Sequence, residues 1–336
     1  MELDQRKRRV LYAIVHDYIQ TAEPVGSRTV SRRYDLGVSP ATIRNEMSDL
    51  EEMGFLEQPH TSAGRIPSDR GYRFYVDSLL QLPTITNRDH AEIKRLLCSR
   101  MRGAEHIVQQ LARLLSSLTS YTAIVLGPTE QKARLKQVQL VPISERAVLL
   151  VGVTDGGLLL HSLIEATGEV DTLSLESLQN WINSRLVGLT LEQIRSRDLR
   201  DLQSEISNGI DLLSGILDEL NGLASNAVGK VYLGGATNML NQPEFRDFDK
   251  ARDILQMLEE EEQIWEMLMR TEPGGVSIGA ENILSAMQSC SLVTAEYRLP
   301  SGLVGRFGLL GPTRMNYDRV LSLVQHICLT LNQLFE

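Results

Sequence analysis

The stretch from Val38 to Ser68, VSPATIRNEMSDLEEMGFLEQPHTSAGRIPS, gathers side chains suited to hydrogen bonding with a second molecule. Ser39 is an N-cap and Pro40 occupies the first helical position, where its missing N–H is harmless. Gly54 ends this helix as a left-handed residue. On a wheel of about 100° per residue, Ile43, Met47 and Leu50 fall on one face. Ala41, Asn45, Ser48 and Glu52 point away from it, flanked by Thr42 and Arg44. Asn bonds adenine bidentately and Arg bonds guanine O6 and N7. The N-terminus of the helix favours phosphate. Its C-terminal half, with Asp49, Glu51 and Glu52, is acidic and has to stay away from phosphate. Thr42, Arg44, Asn45 and Ser48 are the candidate base-reading residues.

Other elements must position that helix. A first helix is expected from an N-cap at Asp4 to Gln20, with Leu11, Ile14, Val15, Tyr18 and Ile19 on one apolar face. Glu23-Pro24-Val25-Gly26 breaks it. Ser27 caps a short second helix through Tyr34, and Asp35-Leu36-Gly37-Val38 is a tight turn. After Gly54, Phe55–Pro59 and Arg65–Pro67 are short extended pieces around the small-residue loop His60–Gly64, which predicts a β-hairpin wing. Three helices and a wing in this order predict a winged helix-turn-helix DNA-binding domain over residues 1–82, whose reading helix enters the major groove. Arg28, Ser39, Arg65, Arg70 and Arg73 are the expected contacts to the DNA backbone. The competing reading is a three-helix scaffold that binds protein or nothing.

Ser39–Met47, Leu50–Leu56, Pro59–Ser68 and Gly71–Asp77 closely resemble the heat-inducible transcription repressor HrcA family. ATIRNEM alone is a modest signal, because winged helices share such patterns. PHTSAGRIPS is long and unusual, and it makes the resemblance specific. The strong likeness covers residues 1–80; beyond them it is one of length, order and general pattern. The resemblance implies a cytoplasmic repressor of chaperone operons, a homodimer on double-stranded DNA carrying an inverted-repeat operator called CIRCE. It also implies that the GroEL chaperonin maintains the repressor's activity. Neither periodicity nor charge implies any of this.

Ser68-Asp69 opens a helix carrying Tyr72, Phe74, Tyr75, Leu79 and Leu80, a cluster best read as core. Residues 83–120 are expected to hold a linker and one long connecting helix from Arg88 to Ser120. Strand patterns follow at Thr122–Leu126, Lys136–Ile143, Arg146–Val153 and Leu158–Glu165, with Thr154-Asp155-Gly156-Gly157 as a hairpin turn. Helical pattern occupies Ser174–Gly222 and Phe248–Arg270, around a short strand at Lys230–Gly234. Strands return at Gly275–Gly279, Ser289–Arg298 and Gly302–Leu310, and a helix closes the chain from Tyr317 to Leu334. The fold class is a multidomain α+β chain. One antiparallel sheet of about six strands would be completed across an insertion. That pattern predicts a discontinuous GAF-like domain over 121–169 and 273–336, with a mainly helical insertion over 170–272. The resemblance implies that the insertion makes dimer contacts.

Composition limits the chemistry. The net charge of −9 argues against indiscriminate nucleic-acid binding, yet residues 1–34 hold seven Arg and Lys against four Asp and Glu, a local surplus of +3. The longest apolar runs are far too short to span a bilayer, and Met1–Arg6 does not open a secretory signal. Cys98, Cys290 and Cys328 are isolated, so neither a disulfide framework nor a zinc site is expected, and a reducing cytosol fits. His16, His60, His90, His106, His161 and His326 show no metal-site spacing. Gly302, Gly305, Gly308 and Gly311 recur at every third residue without a following Gly-Lys-Ser/Thr, which excludes a phosphate loop. These glycines, or Gly234-Gly235-Ala236-Thr237-Asn238, would line a pocket if a GAF-like domain bound a ligand. The alternative function is accordingly a winged-helix regulator controlled by a small metabolite. No nucleophile–base constellation stands out, so neither enzyme activity nor a cofactor is expected.

Overall fold

Asp4 accepts a hydrogen bond from the Lys7 amide at 2.8 Å and opens helix α1 (Gln5–Thr21), which ends at Ala22 with φ 57°. Leu11, Ile14, Val15 and Ile19 are buried, as their spacing requires. Helices α2 (Ser27–Arg33) and α3 (Pro40–Glu52) pack on it and on each other. Strands β1 (Leu56–Glu57) and β2 (Ile66–Pro67) pair antiparallel, Leu56 opposite Pro67. Val25 extends this ladder by exchanging both backbone hydrogen bonds with Arg65 at 2.9 Å. The computed structural model describes residues 3–61, 63–80, 82–97, 104–127, 133–155, 159–166, 168, 170–196, 210–226, 230–298 and 304–334. Ser62 of the hairpin loop, Cys98, Gly156, Gly157 and Gly302 lie outside the described residues.

Helix α4 (Asp69–Phe74) starts on the Ser68 cap and continues as a π turn over Tyr75–Leu79. A Cβ on Gly71 would stand 2.2 Å from the Phe55 carbonyl oxygen, so only glycine lets α4 approach the end of α3 this closely. The π turn buries Tyr75 against Tyr12 and lets its hydroxyl donate to both Asp318 oxygens at 3.0 Å. Helices α5 (Asn87–Leu97) and α6 (Ala104–Thr119) pack side by side, which corrects the expected single helix from Arg88 to Ser120. Each carries its own apolar stripe, Ile93 on one and Val108, Leu111 and Leu115 on the other. Side by side, the two stripes bury one another's neighbourhood, which a straight rod would leave wet.

Strands β3 (Thr122–Leu126), β4 (Leu135–Ser144), β5 (Ala147–Thr154) and β6 (Leu159–Glu165) come next, then helices α7 (Thr172–Leu186), α8 (Leu191–Ser196) and α9 (Ile210–Asn226). Strand β7 (Val231–Gly234) precedes α10 (Phe248–Glu259) and α11 (Glu261–Arg270). Strands β8 (Val276–Ile278), β9 (Cys290–Arg298) and β10 (Val304–Pro312) and helix α12 (Tyr317–Leu334) complete the chain. The strands do not form the expected single sheet. They form one in the order β7-β3-β10-β9-β8 and another in the order β4-β5-β6.

The reason is a separate core. Leu135, Val138, Val148 and Ile164 from β4–β6 pack with Ile182, Leu186 and Ile216 from α7 and α9. The chain accordingly divides into two compact units. One comprises Met1–Val125, Val231–Tyr297 and Arg306–Leu334, the other Leu126–Lys230, Arg298–Gly305 and Phe335–Glu336. The inserted unit thus begins near 126 and ends near 230, where 170 and 272 were expected. Within it, side chains of α7 close the free edge of β4. Asn183 accepts from the Val138 amide and donates to its carbonyl, both at 2.8 Å, and Gln179 accepts from the Leu140 amide at 2.9 Å.

The glycines that left a ligand pocket open are filled by packing. A Cβ on Gly234 would stand 2.2 Å from the Ala112 carbonyl oxygen, and one on Gly308 would stand 2.6 Å from the Leu268 side chain. Among the described residues no helix is long and apolar enough to cross a membrane.

Two measurements check this account. Gly71→Ala is expected to cost about 1–3 kcal/mol by denaturant titration, because backbone has to move to admit the methyl group. Burial pushes the Asp318 carboxyl above its ordinary value, although the Tyr75 hydrogen bond opposes the shift. A raised folded-state value means that stability falls as the pH rises through it. Asp318→Asn should melt higher than the parent at neutral pH, and the difference should close as the pH falls toward 3.8.

Candidate nucleic-acid interface

Ser39 Oγ accepts from the Thr42 amide at 3.1 Å and lies 3.0 Å from the Thr42 hydroxyl, so α3 starts where the sequence places it. Ile43, Met47 and Leu50 are buried inward. Ala41, Arg44, Asn45 and Ser48 are exposed, and Thr42 is half-buried at the edge of that face. The structure thus brings three of the four candidate base-reading residues onto one open surface, with the fourth beside them. Arg28 is exposed in the first turn of α2. Among the described residues neither Arg28 nor Arg44 has a hydrogen-bond or ion-pair partner.

The remaining expected backbone contacts are committed inside the chain. Arg65 pairs with Glu51 at 2.7 Å while its Nε is buried without a partner among the described residues. Arg70 donates to the Met53 carbonyl at 2.9 Å and lies over the Phe55 ring, 4.6 Å from its centroid, which closes the C-terminal end of α3. Arg73 is held by Glu281, by Asp77 at 3.2 Å and by the Val276 carbonyl at 2.5 Å. An arginine held by two carboxylates has little left to offer a phosphate.

Glu46 escaped the sequence reading. It is buried beside Ile43 and Met47, and Lys7 holds it at 2.9 Å with Arg6 at 3.4 Å. Lys7 also reaches Asp49 at 2.9 Å and Asp4 at 3.5 Å. These hydrogen bonds raise the Lys7 ammonium well above its ordinary value. The signal was present: position 46 follows Ile43 by three and precedes Leu50 by four, which puts it on the inward stripe. Gln58 was missed too. Its amide donates to the Thr61 and Ala63 carbonyls at 3.0 and 3.2 Å and shapes the hairpin loop.

Part of the local basic surplus is engaged within the module, while Arg28 and Arg32 stay exposed without such partners among the described residues. Arg33 pairs with Asp17, Arg8 donates to the Leu3 carbonyl at 2.9 Å, and Arg9 donates to the Asp35 carbonyl at 2.6 Å. Arg44, Asn45 and Ser48 beside the open N-terminal end of a 13-residue helix form a small donor-rich surface fit for base edges and phosphate. Ser39→Ala removes the cap that sets this end, and is expected to lower stability by about 1 kcal/mol in a denaturant titration.

Residues 105–321 match the family described as HrcA protein C terminal domain. The heat-inducible transcription repressor HrcA of Moorella thermoacetica is 44% identical, over 100% of this chain and 99% of its own length. The protein of the same name from Brevibacillus brevis is also 44% identical, over 99% and 98%. A solved structure described as a hypothetical protein at 2.2 Å resolution superposes with a TM-score of 0.65 at 25% identity, covering 99% of both chains. These relatives are named for regulation, not for an enzyme activity. The chain belongs to the HrcA family of heat-inducible transcription repressors.

Proposed function

We propose that this chain represses transcription of heat-shock chaperone operons by binding DNA through its N-terminal three-helix module, a winged helix-turn-helix. The observation that carries the proposal is the 44% identity, over the whole chain, to a protein named heat-inducible transcription repressor. The exposed face of α3 supports it. Arg44 and Asn45 read bases with Thr42 and Ser48 beside them, and Arg28 and the helix end at Ser39 take phosphate. Arg65, Arg70 and Arg73 leave the proposed backbone set, because each has an internal partner.

The operator is an inverted repeat, CIRCE, bound by a homodimer, since two copies on a two-fold axis present two reading helices to two half-sites. An apolar surface supports self-association. The outer face of the β4-β5-β6 sheet leaves Val141 40%, Leu159 62% and Leu163 57% exposed, and Ile143 nearby is 58% exposed. The five-stranded sheet with its helices is a GAF-like domain that seats the reading module. The packed glycines at 234 and 308 argue against ligand control there. The GroEL chaperonin keeps the repressor active in the cytoplasm, and heat diverts it to unfolded clients, so repression falls. This last step rests on the family alone.

Fluorescence anisotropy with an inverted-repeat duplex and a scrambled one, at two salt concentrations, with and without the chaperonin, tests the reading. Tight binding confined to the repeat and strengthened by chaperonin is expected. Equal weak binding to both duplexes overturns it, and full repression in cells depleted of chaperonin overturns the feedback step. Arg44→Ala should weaken operator binding by about 1–3 kcal/mol and relax the preference at one base pair in a selection experiment.

A further inference from the structure

The N-terminal module is seated on the rest of its unit mainly through charged and tyrosyl groups. At one place Arg73 of α4 donates to Glu281 Oε1 at 2.9 Å, to the other Glu281 oxygen and to the Val276 carbonyl. Asp69, one helical turn earlier, accepts from the Ala280 amide at 2.9 Å. It fills the space that a Cβ on Gly279, at φ 53°, would take. At a second place Arg314 donates to Glu244 at 2.6 Å, to Gln242 at 3.2 Å and to the Ile19 carbonyl at 2.8 Å. Ile19 lies in the last turn of α1, which has no basic residue of its own. Arg314 supplies the cation that a helix C-terminus favours from a remote part of the chain. The Tyr72–Tyr317 contact and the Tyr75–Asp318 hydrogen bonds complete the seat.

Helix α1 is also the platform of α3, through the Lys7–Glu46 pair and the buried face of Ile43 and Leu50. Whatever fixes α1 fixes the direction in which α3 faces outward. The module keeps a core of its own in Val10, Leu11, Ile14, Ile43 and Leu50, none of which belongs to the seat. We infer that Glu281 and Arg314 are positioning residues: their contacts set the separation and rotation of the two reading helices, and thereby the half-site spacing the protein accepts. The inference rests on the dimeric repressor reading. In a two-fold complex the second half-site is engaged intramolecularly, and that gain is lost when the geometry forbids both contacts. Two inserted base pairs rotate one half-site by about 70° about the duplex, so a rigid seat must reject them.

The test measures the full-length chain and its Glu281→Gln and Arg314→Ala variants by anisotropy on three duplexes. These are the inverted repeat, the repeat with two base pairs inserted between half-sites, and a single half-site. The parent should lose about tenfold or more on the insertion, and each variant about threefold or less. Half-site affinity should be unchanged in the variants, a result that disruption of the module's fold would not give. Variants with the parent's spacing profile overturn the inference alone. Variants that both lose half-site affinity also overturn it, since the contacts would then hold the module's fold. A parent that does not distinguish the repeat from a scrambled duplex overturns the repressor reading, and the inference with it.

Discussion

The seating of α3 on α1 governs the N-terminal module. Burying Ile43, Met47 and Leu50 stabilises the contact by about 1.5–3 kcal/mol for each side chain. That apolar stripe alone would tolerate a small roll of the helix. Glu46 removes the tolerance, because a carboxylate on the buried stripe demands a cation at a fixed place, and Lys7 stands there at 2.9 Å. Removing either partner loosens that seat, although Arg6 still faces Glu46 and Asp49 still faces Lys7. The same ion pair draws in Asp49, so an acidic residue of α3 faces α1's basic start. What remains on the open side is Arg44, Asn45 and Ser48, a small set with little negative charge around the helix start.

This arrangement explains how an acidic chain fits a DNA-binding role. Most of the arginines near the N-terminus hold carbonyls or carboxylates within the module. Arg6 and Arg33, paired with carboxylates, have less to offer phosphate than Arg28, Arg32 and Arg44, and non-specific affinity follows the number of phosphates neutralised. A protein built this way depends on base contacts and on geometry for its affinity. On the proposed reading, discrimination comes at the expense of general stickiness.

The three helices, the hairpin and the outward face of α3 were legible in the sequence because each rests on local chemistry. Ser39 and Pro40 start α3, Gly54 stops it, and the 3.6-residue spacing sorts its faces. Tertiary partners were not legible. Arg65, Arg70 and Arg73 read as free cations, since nothing local announces Glu51, the Met53 carbonyl or Glu281, the last more than 200 residues away. The strands were found, but their sheet was not. The alternation of β4–β6 shows that one face is buried without saying against what, and only the helices from 172 to 226 assign it to a second core. The connecting helix failed similarly: an apolar stripe shared by α5 and α6 is equally compatible with a rod and with a hairpin.

The amide side chains along β4 carry a further consequence. Asn183 and Gln179 mimic a neighbouring strand, so both backbone groups of Val138 and the amide of Leu140 are already satisfied. Those positions are closed to pairing with another chain, although the adjacent sheet face is apolar and open. Stickiness and polymerisation are thereby uncoupled on this side of the unit. The unit can meet other molecules by this face while those edge positions stay closed to strand addition.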